Sequence, residues 1–414
     1  MFSSLFLRFI GRHAEPMPQC IRVAACAAAS LPLLASCVSF DPPLEPAPDL
    51  LPDSPNRAAI SKMYVFGDSI SDTGNLFGLL DDITPVSRPR LESPPTRPDG
   101  RVVSNKYLSV EYIASHYGLD LSPAWKPMSD SRDVLLPLDI KSRVNVAQKV
   151  LGFDNMSSGM NLNTDEHKAV MTINMKHSGG NNYAVAKASV LSYPGLTFRF
   201  FNKFRLSKQI DLHTKQADVL KTSPNALHFV LIGGNDIFNI LQNPSLHHHA
   251  NDHIALLIDD MEAQIKKLRD MGAQKILVGT TPDIGQIPAF RNTAHQELAS
   301  RLSHRLDRDM GIRIRENFDP RHVHYVSVPS FLDQAIRAWP SPSADTNCTK
   351  RTFSLKRFLV TGGEIRTRFV NNCSQERLDA GDFVYFDRIH GTDALYQAIG
   401  RFYIQEIDEF MKIS

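Results

Sequence analysis

Short runs in which nearly every position is apolar alternate along this chain with longer stretches whose apolar residues recur every three or four positions. Lys62-Met63-Tyr64-Val65-Phe66, Leu227-His228-Phe229-Val230-Leu231-Ile232 and Lys275-Ile276-Leu277-Val278-Gly279 are of the first kind. Such runs are what strands need when helices cover both faces of a parallel sheet. His322-Val323-His324-Tyr325-Val326-Ser327-Val328 predicts a further strand. Between them, Asn251 to Met271 sets Ile254, Leu257, Ile258, Met261, Ile265 and Leu268 on one helical face, and Asn292 to Met310 does the same with Leu298, Leu302 and Leu306. A last helix, about Asp393 to Met411, carries Ala394, Ile399, Phe402, Ile404 and Ile407 and is expected to pack on the sheet. Strands alternating with helices predict an α/β sandwich. The stretch of about 85–180 is rich in Pro, Ser, Asp and Asn without a sustained period, and reads as loops and an inserted cap.

The start of the chain follows a different pattern. Arg8, Arg12 and Arg22 precede the apolar run Val23 to Leu34, which ends in Leu34-Ala35-Ser36-Cys37. Residues 1–37 therefore read as a secretory signal, because the run falls short of the roughly 20 residues a bilayer span needs. The ending resembles a bacterial lipobox, which makes Cys37 the lipid-modified first residue of the mature chain; ordinary cleavage nearby without lipid is the alternative. Residues 38–60 read as a Pro-rich linker, since Phe40 to Asn56 alone holds six prolines and four acidic residues. The expected catalytic domain is 61–414.

Composition narrows the class further. Apolar residues make up 42% and charged residues 22%, the balance of a globular protein, which excludes a disordered chain or a multi-span membrane protein. The net charge of +2, with both signs interleaved, provides no basic field for a nucleic-acid partner. Of the five cysteines, Cys20 and Cys26 leave with the signal and Cys37 is the acylation candidate. That leaves Cys348 and Cys373, which in an exported protein suggest one disulfide, with two unpaired thiols as the alternative.

Four short segments bear candidate chemistry. A serine becomes a nucleophile when a base takes its proton and donors stabilise the oxyanion that forms. Phe66-Gly67-Asp68-Ser69-Ile70-Ser71-Asp72-Thr73-Gly74-Asn75 puts Ser69 just past a buried strand, at the carboxyl edge of the expected sheet. Ile232-Gly233-Gly234-Asn235-Asp236 brings Asn235 to the same edge, where its amide can donate to an oxyanion. Phe386-Asp387-Arg388-Ile389-His390 sets a carboxylate three residues before a histidine, so that Asp387 orients His390 as base for Ser69. Asp319-Pro320-Arg321-His322 has the same spacing, but His322 opens a core strand. The fourth segment, Gly180 to Ala188, reads as a strand and turn able to add a backbone N–H. Three successive histidines, His247 to His249, cannot converge on one ion from a regular element, so no metal is expected, and the chemistry needs no cofactor.

In this order the segments resemble the conserved blocks of the GDSL (SGNH) lipase and esterase family. The resemblance implies a three-layer flavodoxin-like sandwich with a central parallel sheet and inserted loops. It makes Ser69 the nucleophile, Asp387 and His390 its partners, and Asn235 and the Ser69 N–H oxyanion donors. Ala186 and Lys187 stand where the family commonly has Gly-Gly, so the third donor N–H falls to Lys187. Thr280 to Gly285 and Pro288-Ala289-Phe290 also resemble the family's loop after the fourth block. The long Ser69 string and the cysteine-bounded loop 348–373 are similar to secreted bacterial phospholipase/acyltransferases of the glycerophospholipid:cholesterol acyltransferase type, in which that loop is cut by an activating protease. Here the loop carries Lys350, Arg351, Lys356, Arg357, Arg366 and Arg368 against Glu364. It either shields the site, touches anionic lipid, or is a solvated face.

The expected protein is thus an exported lipase, phospholipase A or lysophospholipase, or an acyltransferase, secreted or lipid-anchored in the envelope. A phospholipid or lysophospholipid is the acyl donor, water or cholesterol the acceptor, and a membrane surface the partner. A carbohydrate acetyl-esterase of the same fold is the second enzyme reading, and an inactive lipid-anchored binding protein is the third.

Overall fold

The structure, a computed structural model, describes residues 45–52, 60–83, 90–128, 173–194, 200–216, 225–341, 343, 345–352 and 364–413, with residues 139, 142, 165 and 168. The signal 1–37 with Cys37, much of the linker 38–60, most of 129–172 and the centre of the cysteine-bounded loop, 353–363, lie outside the described residues.

In chain order the strands are β1 (Lys62–Gly67), β2 (Arg90–Leu91), β3 (Trp125–Pro127), β4 (Met175–His177), β5 (Ala226–Leu231), β6 (Lys275–Gly279), β7 (Val323–Val326), β8 (Thr349–Thr352) and β9 (Glu364–Phe369). The helices are α1 (Asn75–Ile83), α2 (Ser109–His116), α3 (Leu206–Thr214), α4 (Gly234–Gln242), α5 (Ala250–Asp270), α6 (Gln296–Asn317), α7 (Val328–Arg337), α8 (Gln375–Asp379) and α9 (Asp393–Lys412).

The main sheet runs β1-β5-β6-β7, every pair parallel. Every residue of β5 and β6 is buried, which is why apolar residues run through both without alternation, His228 and the leading Lys275 excepted. Adjacent strand residues point to opposite faces. On β5, the His228 ring meets His213 of α3 at 5.3 Å, while Phe229 meets Tyr403 of α9 at 4.8 Å. Helices therefore cover both faces, giving three layers.

Residues 181–185 continue the sheet beyond β1. The Val65 N–H donates to the Asn181 carbonyl (3.0 Å), Tyr183 N–H to Val65 (2.7 Å) and Val185 N–H to Gly67 (3.2 Å). This parallel contact sets the second sheet segment of the chain on one side of β1 and the third, β5, on the other. That is the doubly wound order of flavodoxin-like folds, whose ligand crevice opens at the carboxyl ends where the order reverses.

Some expected boundaries move. The helix expected from Asn292 begins at Gln296, because Asn292 has a left-handed backbone (φ 60°), and it continues to Asn317 because Ile314 is also buried. The strand expected over 322–328 closes at Val326, and α7 begins at Val328 with Pro329 in its first turn, where the missing N–H is no loss. Within 85–180, α2 is a core element and not a cap: it packs along α9, and Tyr112 donates to Asp393 at 2.6 Å. Two helical turns are too short to show a period. β3 and β4 form an antiparallel ribbon, and β8 and β9 a hairpin whose ends are joined by the Cys348–Cys373 disulfide. β2 pairs with β9, tying the hairpin to the first insertion.

The layer under β1 contains a testable electrostatic feature. His213 and His228 are buried between Tyr64 and Phe66, and burial holds both rings neutral, pushing His228 down to about 4 and His213 further still. An unfolded histidine titrates near 6.5. Between that pH and about 4 the unfolded chain takes up a proton that the folded one refuses, so this stability is complete above about 6.5 and falls as the solution is acidified. Buried Asp68 and Asp236, pushed up to about 7 and about 6, act in the opposite sense by taking protons first in the folded state. A variant comparison separates the two. Relative to His228→Leu, the wild type is expected to lose about 1.4 kcal/mol per pH unit below 6.5, read by chemical denaturation at stepped pH; parallel curves would contradict it.

Candidate active site

β1 ends in a turn that only glycine permits. A Cβ on Gly67 would lie 2.5 Å from the Leu231 carbonyl oxygen, so a side chain there would break the pairing with β5. The Gln209 side chain of α3 then holds this last residue on both sides, accepting from its N–H and donating to its carbonyl, each at 2.8 Å. The Asp68 carbonyl accepts from Ser71 N–H at 3.1 Å, closing a tight turn with half-buried Ser69 at its corner.

Asp72 and the two asparagines fasten this turn to residues 180–188. The Asp72 carboxylate accepts from the N–H groups of Gly74 (2.9 Å) and Leu76 (3.1 Å) at the start of α1, and from Ala186 N–H at 2.7 Å. The Asn75 amide donates to the carbonyls of Asn182 (2.8 Å) and Ala184 (2.7 Å), while that of Asn182 donates to Ser71 O and Thr73 Oγ1, both 2.8 Å. These bonds explain why Asp72 and Asn75 of the Ser69 string are buried: each satisfies backbone groups of the turn or of residues 182–186.

The Asp-x-x-His segment reaches Ser69 from the far end of the chain. His390 Nε2 lies 2.9 Å from Ser69 Oγ, and its Nδ1 lies 2.9 and 3.0 Å from the two Asp387 oxygens. A carboxylate only accepts, so Nδ1 carries the proton and Nε2 offers its lone pair to the serine hydroxyl. Asp387 and His390 are buried. Burial pushes the Asp387 carboxyl up, but His390, the Arg351 guanidinium and the N–H groups of Ile389 (2.8 Å) and His390 (2.7 Å) hold it well below the usual carboxylate range. Arg351 Nη2 contacts Asp387 Oδ2 at 2.9 Å.

The loop is fixed from three sides. Ala289 N–H donates to the Arg388 carbonyl (2.9 Å), and Arg388 returns a bond to the Ala289 carbonyl (3.0 Å). The N–H groups of Cys348 and Thr349 donate to the carbonyls of Tyr385 (2.9 Å) and Phe386 (2.7 Å), laying the stapled hairpin along the residues before Asp387. Thr392 caps α9 immediately after.

The other expected residues sit at the same edge. Asn235 occupies the first turn of α4 and donates to the Ala188 carbonyl at 2.8 Å. Asp236 beside it accepts from Val190 N–H (2.8 Å), Leu191 N–H (3.0 Å) and Tyr193 Oη (3.0 Å), anchoring the 187–193 loop. Lys187 has a left-handed backbone, φ 68°. His322, in contrast, precedes β7 and so lies at the amino-terminal edge, away from the turn after β1.

The structure adds two residues whose site roles sequence patterns did not reveal. Arg351 was visible only as part of the loop's charge, and its partner lies on a separate segment; Gln209 lies on a short amphipathic helix with nothing to distinguish it from a core polar residue. Among the described residues, no group of three or more His, Cys, Asp or Glu side chains is placed to hold a metal.

The arrangement can withdraw a proton from Ser69 and stabilise the resulting imidazolium. This chain is similar to known esterases and lipases. Two GDSL esterase/lipases of Arabidopsis thaliana are 26% identical over 247 residues and 24% identical over 244, covering 58% and 55% of this chain. Those matches span 57% and 55% of the relatives, little more than half their length. A third, 22% identical over 369 residues, covers 84% of this chain and 90% of its own. The profile of the GDSL-like lipase/acylhydrolase family matches residues 63–402, and the chain belongs to that family.

Proposed function

We infer that the protein is an exported serine esterase acting on membrane lipids: a phospholipase A or lysophospholipase, an enzyme that transfers acyl groups to an alcohol such as cholesterol, or both. The observation that carries the chemistry is the chain of contacts from Ser69 through His390 to Asp387, each 2.9 Å. Ser69 Oγ attacks the ester carbonyl while His390 Nε2 takes its proton, and Asp387 stabilises the imidazolium. The oxyanion receives hydrogen bonds from the Asn235 amide and the N–H groups of Ser69 and Lys187. Collapse breaks the ester C–O bond, His390 returns the proton to the leaving alcohol, and an acyl-Ser69 remains. Water or an acceptor alcohol, deprotonated by His390, then releases the acyl group. Export is supported by the amino-terminal apolar run and by the disulfide, which persists in oxidising compartments.

The test is release of fatty acid from phospholipid vesicles by the full-length protein, with and without cholesterol, beside Ser69→Ala. Fatty acid or cholesteryl ester that disappears in Ser69→Ala is expected. Turnover of acetylated glycans with intact phospholipid would replace the lipid reading with an acetyl-esterase, and no turnover of any ester would leave a binding protein.

A further inference from the structure

We propose that Lys187 reads the anion of the substrate, its ammonium taking a phosphate group while the ester carbonyl of the same molecule lies at Ser69. The proposal rests on the reading of Ser69 as nucleophile.

Val185 N–H is bonded to the Gly67 carbonyl, Ala186 N–H to the Asp72 carboxylate and the Ala188 carbonyl to the Asn235 amide. Lys187 is therefore fixed between the nucleophile's turn and Asn235. The Ala188 N–H to Val185 carbonyl bond (2.9 Å) closes the turn around it. Its left-handed backbone is one that glycine adopts freely and a long side chain does not. A strained residue of this kind persists only where its surroundings over-determine it, and such residues gather at ligand sites.

The side chain is as unusual as the backbone. The ammonium stands 5.4 Å from the centre of the Phe201 ring, on a residue that is half-buried, and among the described residues no carboxylate pairs with it. Its charged neighbour is another cation, Arg351, already in contact with Asp387. Burial, with Arg351 adding to it, pushes the Lys187 ammonium down to about 8. A desolvated cation beside a like charge is unfavourable alone and is relieved by an arriving anion. An uncharged ester brings nothing for it. A glycerophospholipid brings a phosphate joined through glycerol to the ester that Ser69 attacks, and a lysine presents three donors to phosphate as a compact point charge.

The experiment compares kcat/KM for a lysophospholipid with that for an uncharged monoacylglycerol of the same chain, in the full-length protein and in Lys187→Met, Lys187→Gly and Lys187→Arg. Glycine retains the backbone N–H and relieves the left-handed backbone, so its effect reports the ammonium. The lysophospholipid-to-monoacylglycerol ratio is expected to fall at least about tenfold in the Met and Gly variants and to be retained in Arg, in line with the strength of charge-assisted hydrogen bonds. An unchanged ratio in either the Met or the Gly variant overturns the proposal. A second arm adds inorganic phosphate as competitor against the monoacylglycerol. Competition in the wild type that vanishes in Lys187→Met assigns free phosphate to the same site, and no competition confines it to the lipid head group. Activity surviving Ser69→Ala would remove the nucleophile reading itself, an outcome separate from any change in the ratio.

Discussion

Ser69→Ala is expected to lower kcat for a soluble ester by about a millionfold, leaving only the turnover that the oxyanion donors and binding sustain. The magnitude follows from the geometry. Ser69 Oγ is the atom to which His390 Nε2 is directed at 2.9 Å, and the turn that presents it is held by Gln209, Asp72 and Asn182, none of which changes in the variant. Because nucleophile and base act as one unit, His390→Ala is expected to cause a similar loss, and the double variant little more than either alone. Steady-state kinetics on the three variants, with circular dichroism to show that each is folded, checks this. Losses that multiply would mean that the residues act independently, against the single hydrogen-bonded chain.

Asp387→Asn should reduce kcat by about ten-thousandfold with the fold intact. An asparagine at this position can turn its amide N–H toward Nδ1, which selects the tautomer with the proton on Nε2 and leaves Ser69 facing a donor. It also removes the charge that stabilises the imidazolium, and leaves Arg351 facing a neutral group across a 2.9 Å contact. The measurement is the kcat pH profile of the variant: activity should recover in part at high pH if hydroxide takes over from His390 as base. A loss of less than about tenfold would show that Asp387 does not set the state of His390.

How much of this was legible in the sequence depends on where the determining contacts lie. β1, β5 and β6 are covered on both faces, so their runs are apolar at nearly every position, with Lys62, His228 and Lys275 the exceptions, and betray the parallel sheet directly. The long helices α5 and α9 are visible for the complementary reason, each burying one stripe across many turns. The short helix α2 offered no such period, and its place against α9 depends on Tyr112 finding Asp393, a partner no local pattern indicates. The Ser69, Asn235 and Asp387-x-x-His390 segments stood out because each joins an element end to a side chain with chemistry. The hairpin β8–β9 did not, since Cys348 and Cys373 suggest a loop and nothing in the intervening charges distinguishes Arg351, which reaches Asp387, from Arg366 or Arg368, which lie on the opposite strand. The missing glycine at Lys187 was visible in sequence, but the left-handed backbone and the cation facing Phe201 required coordinates.

The central claim is that Ser69 is the nucleophile activated by His390, and covalent labelling tests it most directly. A fluorophosphonate probe reacts with an activated serine and leaves a phosphonyl adduct that peptide mass spectrometry locates. One adduct on the peptide containing Ser69, absent from Ser69→Ala and strongly reduced in His390→Ala, is the predicted result. An adduct on another residue, or ester turnover that proceeds with Ser69 unlabelled at saturating probe, would contradict the account.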